Sequence, residues 1–152
     1  MRPPAMAQLN GLVGEWHGTV RLHLQGQPDE TSSLKSSFQW VLRDYHLHGT
    51  LQYTVGSRSY EALIIWSYNR DTKEYKTLWI HNFSSDAEIY HGTFHDGAFN
   101  LTSRYREGGK NIISSLHLAV DASRHWTMKV TSGPDGEVRT ITAFTADRSK
   151  SK

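Results

Sequence analysis

Leu12-Val13-Gly14-Glu15-Trp16-His17-Gly18-Thr19-Val20 reads as a tight turn, then a tryptophan, then an alternating strand. After Trp16, the residues Gly18, Val20, Leu22 and Leu24 form one small or apolar row, while His17, Thr19, Arg21 and His23 form a polar row. Period-two alternation of this kind marks a strand with one buried face. Glycine on either side of Trp16 lets the backbone pass close to a large ring with no Cβ in the way. The stretch therefore reads as the opening strand of a closed antiparallel β-barrel, with Trp16 plugging one end.

Outward from this stretch, strands follow one another with almost no helical periodicity. Residues 1–8 read as a flexible lead-in, with a helical turn near Gln8 to Leu12. A second strand, Ser32 to Leu42, puts Leu34, Ser36, Phe38 and Trp40 on one face, and Arg43-Asp44 is short enough for a hairpin link. The third, Tyr45 to Val55, sets Leu47, Gly49, Leu51 and Tyr53 against His46, His48, Thr50 and Gln52. The fourth, Arg58 to Tyr68, carries Ala62-Leu63-Ile64-Ile65-Trp66, apolar on both faces, which suits a strand covered on both sides or a homodimer contact. The fifth, Glu74 to Phe83, alternates Tyr75, Thr77, Trp79 and His81 with Lys76, Leu78, Ile80 and Asn82. The sixth and seventh, Ala87 to His95 and Ala98 to Arg106, meet at Asp96-Gly97, a type I′ turn signal. Asn111 to Val120, His125 to Thr131 and Glu137 to Thr145 complete the series. The expected fold is all-β: a single antiparallel up-and-down β-barrel of about ten strands over residues 9–147, with a basic tail at 148–152. A barrel of that width is expected to enclose a cavity.

Composition narrows the function classes. With 152 residues, 37% hydrophobic and 21% charged, the chain has the make-up of one ordinary globular domain. A formal charge of +2 with scattered Lys and Arg gives no basic stripe, so nucleic acid is not an expected partner. No cysteine is present, which excludes a disulfide framework and a thiol nucleophile. No apolar run has the length of a signal peptide or membrane helix, and a cytoplasmic location is expected.

The chemistry on offer is aromatic and imidazole. Nine histidines occur, none in a recognised motif. His46-x-His48 puts two imidazoles on one strand face, a spacing usable for a metal. His17, His23 and His125 share faces with Thr, Arg or Lys and read as surface residues. His81 shares its face with Tyr75, Thr77 and Trp79, and so is the candidate to enter the cavity as a general base or ligand. Tyr75 and Tyr90 are the candidate hydrogen-bond donors beside it. Phe38, Trp40, Tyr53, Trp79 and Tyr105 are candidates to line a pocket for a planar or apolar ligand, with His91 as a further polar contact and Glu61 placed to orient a histidine. No phosphate loop or nucleophile elbow is present.

An ordered set of pieces carries a family resemblance: Leu12-Val13-Gly14-Glu15-Trp16, Phe38-Gln39-Trp40-Val41-Leu42, Tyr75 with Trp79-Ile80, His91-Gly92-Thr93-Phe94, and Gly133-Pro134-Asp135-Gly136-Glu137. Together they resemble the DUF1579 family of bacterial proteins of unknown function, which is similar to the calycins: lipocalins, fatty-acid-binding proteins and nitrobindin-like haem barrels. The resemblance implies a calycin-like barrel with a small-molecule pocket and no single activity. The chain departs from the family pattern at Arg43-Asp44, where the family often has Gly-Gly, and at two acidic positions that are histidine here. His81 stands in Trp79-Ile80-His81-Asn82 where the family has Asp, and His91 stands in His91-Gly92-Thr93 where it tends to have Glu. Three functions follow as expectations. The first is a binding barrel for a small apolar or aromatic organic molecule. The second is an enzyme using His81 for isomerisation, cyclisation or elimination on a bound substrate. The third is a haem or metal barrel with histidine ligands.

Overall fold

The computed structural model describes residues 3–121 and 124–149. Ten antiparallel strands run in chain order: β1 Gly14–Leu24, β2 Glu30–Val41, β3 His46–Val55, β4 Arg58–Asn69, β5 Glu74–His81, β6 Glu88–His95, β7 Ala98–Glu107, β8 Lys110–Asp121, β9 His125–Pro134 and β10 Thr140–Arg148. Each pairs with its chain neighbours, and β1 pairs with β10 to close the barrel. Closure leaves no edge strand to template association. The alternation read from Trp16 holds: Trp16 and Val20 are buried and His17, Thr19, Arg21 and His23 are exposed.

Three boundaries differ from the sequence reading. The lead-in is no free segment, because Pro4–Leu12 forms a nine-residue 3₁₀ helix that covers one barrel end. Its apolar residues Met6, Leu9 and Leu12 are 0% exposed. They recur every third residue, which in a helix of three residues per turn puts all of them on one face. The basic tail begins later than residue 148, since Arg148 closes β10, lies over the Trp16 ring at 4.5 Å and donates to the Val13 carbonyl at 2.8 Å. Residues 150–152 of that tail lie outside the described residues. The link after β2 is longer than Arg43-Asp44: Leu42, Arg43 and Asp44 all take positive φ (52°, 59° and 66°), and Tyr45 N–H donates to Leu42 O at 3.3 Å.

Large rings fill the middle of the barrel. Trp16 and Trp126 meet edge to face at 6.2 Å, Phe38 meets Trp126 at 6.3 Å, and Trp66 meets Phe99 at 5.0 Å. The wide inner cavity expected from strand number is therefore taken up by side chains, and an enclosed cavity of about 10 Å³ remains between Phe38, Trp79, Trp126 and their neighbours. Glycines serve close approach, though not as the sequence suggested. A Cβ on Gly18 would come 1.8 Å from the Thr145 carbonyl oxygen of β10, so that glycine accommodates backbone and not the tryptophan. The glycine that does make room for a ring is Gly49, where a Cβ would lie 2.2 Å from the ring of Phe38.

The doubly apolar run of β4 also resolves. Ala62, Ile64 and Trp66 point inward, while Leu63 and Ile65 point outward and pair with Ile80 and Leu78 of β5. Leu78 in turn faces Ile89 of β6, giving an aliphatic row on the outer wall. Among the described residues no helix is long and apolar enough to cross a membrane.

Candidate functional site

The two barrel ends differ in chemistry. At the end covered by the 3₁₀ helix, polar atoms serve the plug. Trp16 Nε1 donates to Leu12 O at 2.7 Å, and the Tyr75 hydroxyl donates to Ala5 O at 2.5 Å. At the opposite end, inward positions near the strand termini carry Tyr53, Tyr60, His81, Glu88, Tyr90, Tyr105 and Ser114. Titratable side chains of β3 to β7 converge here inside the wall.

The local sequence explains how His81 and Glu88 come to face each other. Pairing between β5 and β6 ends at Trp79 opposite Glu88. Since Trp79 points inward, its cross-strand neighbour Glu88 does too, and parity carries Tyr90 in behind it. Past that pair, Asn82 continues the ladder to β4: its N–H donates to Glu61 O at 3.1 Å and its side-chain oxygen accepts from Glu61 N–H at 2.9 Å. That clamp holds His81 on the inner face. Phe83 N–H donates to His81 Nδ1 at 3.1 Å, so the neutral ring carries its proton on Nε2. Nε2 lies 4.0 Å from Glu88 Oε1.

Aromatic rings line this mouth. Tyr60 stacks on Tyr53 at 4.5 Å and on His81 at 5.2 Å, and accepts a hydrogen bond from Trp79 Nε1 at 2.9 Å. The Tyr90 hydroxyl is 2.7 Å from Ser114 Oγ and 3.5 Å from Glu88 Oε2. Burial sets the electrostatics. It pushes the Glu88 carboxyl above the usual carboxylate range, with Glu107 and Asp86 adding to the shift against the Tyr90 hydrogen bond. It pushes the His81 imidazole down. It also pushes Tyr53, Tyr60 and Tyr90 up, and Tyr105 up to about 12.

A pH dependence follows from Glu88. The folded state holds its proton more tightly than the unfolded chain, whose value is near 4.5, so ionising it weakens the fold as pH rises above 4.5. Glu88→Gln cannot ionise. It is expected to be more stable than wild type at neutral pH, with the two unfolding midpoints converging as the pH falls through 4.5. Denaturant titrations at several pH values check this, and a variant less stable than wild type at pH 7 would contradict it. His81 acts in a different window. Its protonation is disfavoured in the fold, so stability falls as pH drops below 6.5.

The remaining sequence candidates are distributed as follows. Tyr75 lies at the plugged end, six residues from His81 along β5, roughly 20 Å away at strand rise, and its hydroxyl is taken by Ala5. Phe38 and Trp40 stand on inward positions toward the same end. Trp79 sits between the mouth and the barrel centre, and Tyr53, Tyr90 and Tyr105 belong to the mouth. Glu61 is exposed on the outer wall, where it lines a groove of about 460 Å³ with Thr50, Gln52, Leu63 and Ile80. His91 is exposed on the outer wall and pairs with Glu74 at 3.2 Å. The other histidines also occupy outward rows: His23 pairs with Asp29 at 2.7 Å, His125 with Asp147 at 2.8 Å, and His117 bonds Asn100 at 2.8 Å. His46 Nδ1 lies 3.3 Å from Trp66 O. His81 is thus the one histidine on an inward row. Among the described residues no group of three or more His, Cys, Asp or Glu side chains is placed to hold a metal ion.

Glu88, Tyr60 and Ser114 were not singled out by sequence reasoning. The signal for Glu88 was present, because an inward Tyr90 implies an inward Glu88 two residues before it.

Similar folds are known. The S-type phycobiliprotein lyase CPES from Guillardia theta is 13% identical at a TM-score of 0.68, over 95% of this chain and 92% of that one. Rv2717c from M. tuberculosis is 14% identical at a TM-score of 0.71, over 99% of this chain and 100% of that one. A protein of unknown function of the DUF3598 family from Nostoc punctiforme is 17% identical at a TM-score of 0.56, over 93% of this chain and 48% of that one. At these identities the likeness is one of fold. No curated protein matches the chain by sequence. The family model described as "Protein of unknown function (DUF1579)" matches residues 4–148, and the chain accordingly belongs to the DUF1579 family, here in the form of a calycin-like ten-stranded barrel.

Proposed function

We propose that the barrel binds a small, flat, largely apolar organic molecule at its open mouth. Tyr53, Tyr60, His81 and Tyr105 would lie against its faces, and Glu88, Tyr90 and Ser114 would receive its polar end. The observation that carries this reading is Glu88. Its side chain is only 25% exposed, and its nearest protein partners leave it weakly bonded, Tyr90 at the edge of hydrogen-bond range at 3.5 Å and His81 beyond it at 4.0 Å. A carboxylate accepts about four hydrogen bonds, so this one has capacity for a ligand N–H or O–H. That a barrel of the same fold is named a phycobiliprotein lyase supports an organic ligand.

Native mass spectrometry of the purified protein, beside its absorption spectrum, tests the reading. A bound colourless organic mass fits it. A bound mass with a visible band would favour haem or metal instead, with His81 the one inward imidazole to reach it. For a ligand so identified, Glu88→Gln should weaken affinity roughly tenfold, the worth of one charge-assisted hydrogen bond. Unchanged affinity would remove Glu88 from the site.

A second reading rests on the His81–Glu88 pair. Burial raises the carboxyl and lowers the imidazole, which brings their proton affinities together, the arrangement that suits proton transfer through the pair. With Tyr90 as donor, the mouth would isomerise, cyclise or eliminate on its bound substrate. His81→Gln should then keep binding and lose turnover, and full turnover would exclude His81 as the base. The homodimer suggested by β4 would use the outer row Leu63, Ile65, Leu78, Ile80 and Ile89, and sedimentation equilibrium reads it.

A further inference from the structure

Arg58 opens β4 on the inward row. Tyr60, Ala62, Ile64 and Trp66 follow it at alternate positions, and all of them are buried. Arg58 itself is exposed, at the rim of the open mouth. Its Cζ lies 4.0 Å from the centroid of the Phe83 ring, and Phe83 meets Tyr60 edge to face at 5.2 Å. Tyr60 is the ring that stacks on both Tyr53 and His81. A chain of ring contacts thus joins the guanidinium to the aromatic wall of the mouth.

Among the described residues the cations on inward strand rows are Arg58, Lys110 and Arg148, and they differ in company. Arg148 stands at the plugged end, over Trp16. Lys110 is at the mouth rim, opposite Glu107 in the β7–β8 ladder. Arg58 is opposite Val55, which offers no charge. Glu30, which reaches the turn ahead of Arg58, accepts from Gly56 N–H at 3.1 Å instead. Among the described residues the ring of Phe83 is the partner Arg58 has. A ring face engages the face of the guanidinium and leaves its in-plane N–H donors for other acceptors. An anion suits this side of the mouth better than the Glu88 side, where Glu107 and Asp86 add negative charge. β5 lies between β4 and β6, so the two sides stand about 10 Å apart at the usual strand spacing.

Resting on the reading of the mouth as a ligand site, we propose that Arg58 selects flat organic acids. The ligand's carboxylate or similar anion would lie in the guanidinium fork, at the end away from Glu88. The fork matches a planar anion with two parallel N–H donors, and the ligand's rings would continue from Phe83 onto Tyr60.

Two fluorescent dyes test this on the whole protein: anilinonaphthalene sulfonate, and phenylnaphthylamine, which has the same rings and no sulfonate. Both should bind wild type. Arg58→Gln should weaken the sulfonate about fivefold, the upper range for an exposed ion pair, and leave the neutral dye within about twofold. Lys110→Gln removes the same charge from the rim and should leave both dyes within about twofold. Arg58 is exposed, so its variant should fold, and an unchanged unfolding midpoint verifies that. If both dyes bind and Arg58→Gln leaves the sulfonate unchanged, the role of Arg58 is overturned and the mouth reading stands. Equal losses of the two dyes in Arg58→Gln, or an equal loss of the sulfonate in Lys110→Gln, would also overturn it, because shape or net charge would then be the cause. If neither dye binds wild type, the mouth reading fails and the selection by Arg58 fails with it.

Discussion

Trp16→Ala is expected to lower the stability of the barrel by about 3–5 kcal/mol, the range for emptying a core position of an aromatic side chain. The ring is 1% exposed and touches three separate parts of the fold. It meets Trp126 edge to face at 6.2 Å, donates to Leu12 O at 2.7 Å, and carries the Arg148 guanidinium 4.5 Å above it. Loss of the ring therefore removes core volume, leaves the end of the 3₁₀ helix without its indole donor, and takes away the surface under the last residue of β10. Denaturant unfolding followed by circular dichroism measures the loss as a midpoint shift. Protease nicking within Pro4–Leu12 should accelerate in parallel, because the helix loses its anchor. A stability loss below about 1 kcal/mol would show that the plug holds without the tryptophan and would contradict this account.

Gly18→Ala, the addition of one methyl group, should cost about 1–3 kcal/mol or more through overpacking. The added carbon would stand 1.8 Å from Thr145 O and 2.7 Å from Thr145 C, and these are backbone atoms of the strand that closes the barrel. A backbone contact cannot be relieved by a rotamer change, so β1 and β10 would have to separate where Gly18 pairs with Ala146. The neighbouring outward position supplies the control. Thr19→Ala removes only the exposed contact of Thr19 Oγ1 with Thr145 Oγ1 at 2.8 Å, and should cost no more than about 1 kcal/mol. Equal effects of the two substitutions would show that the β1–β10 seam can move apart freely.

The strands were legible because their signals are local. Alternation after Trp16, the Asp96-Gly97 turn and the run of short strands without a crossover helix all act over a few residues, and the observed strand limits differ by only a few positions. The plug was misread as a lead-in although Met6, Leu9 and Leu12 stand at 3₁₀ spacing, because such a short helix is stable only against a surface it can cover, here the barrel end. Among the site candidates, parity placed His81, Trp79, Tyr90, Tyr53 and Tyr105 inward. It did not show that Tyr75, on the same row as His81, belongs to the opposite end.

The sequence by itself determined the number, order and facing of the strands, since side-chain direction along a strand depends only on the parity of residue number once one inward residue is known. Only the tertiary structure decided which side chains share a level of the barrel. Glu88 meets His81 because pairing between β5 and β6 stops at Trp79 and the chain returns past the Asn82 clamp. Thr77 and Trp126 share a cavity because closure of β1 on β10 fixes how far each strand slides against the next. That stagger is a property of the whole ring, and no local stretch of residues encodes it.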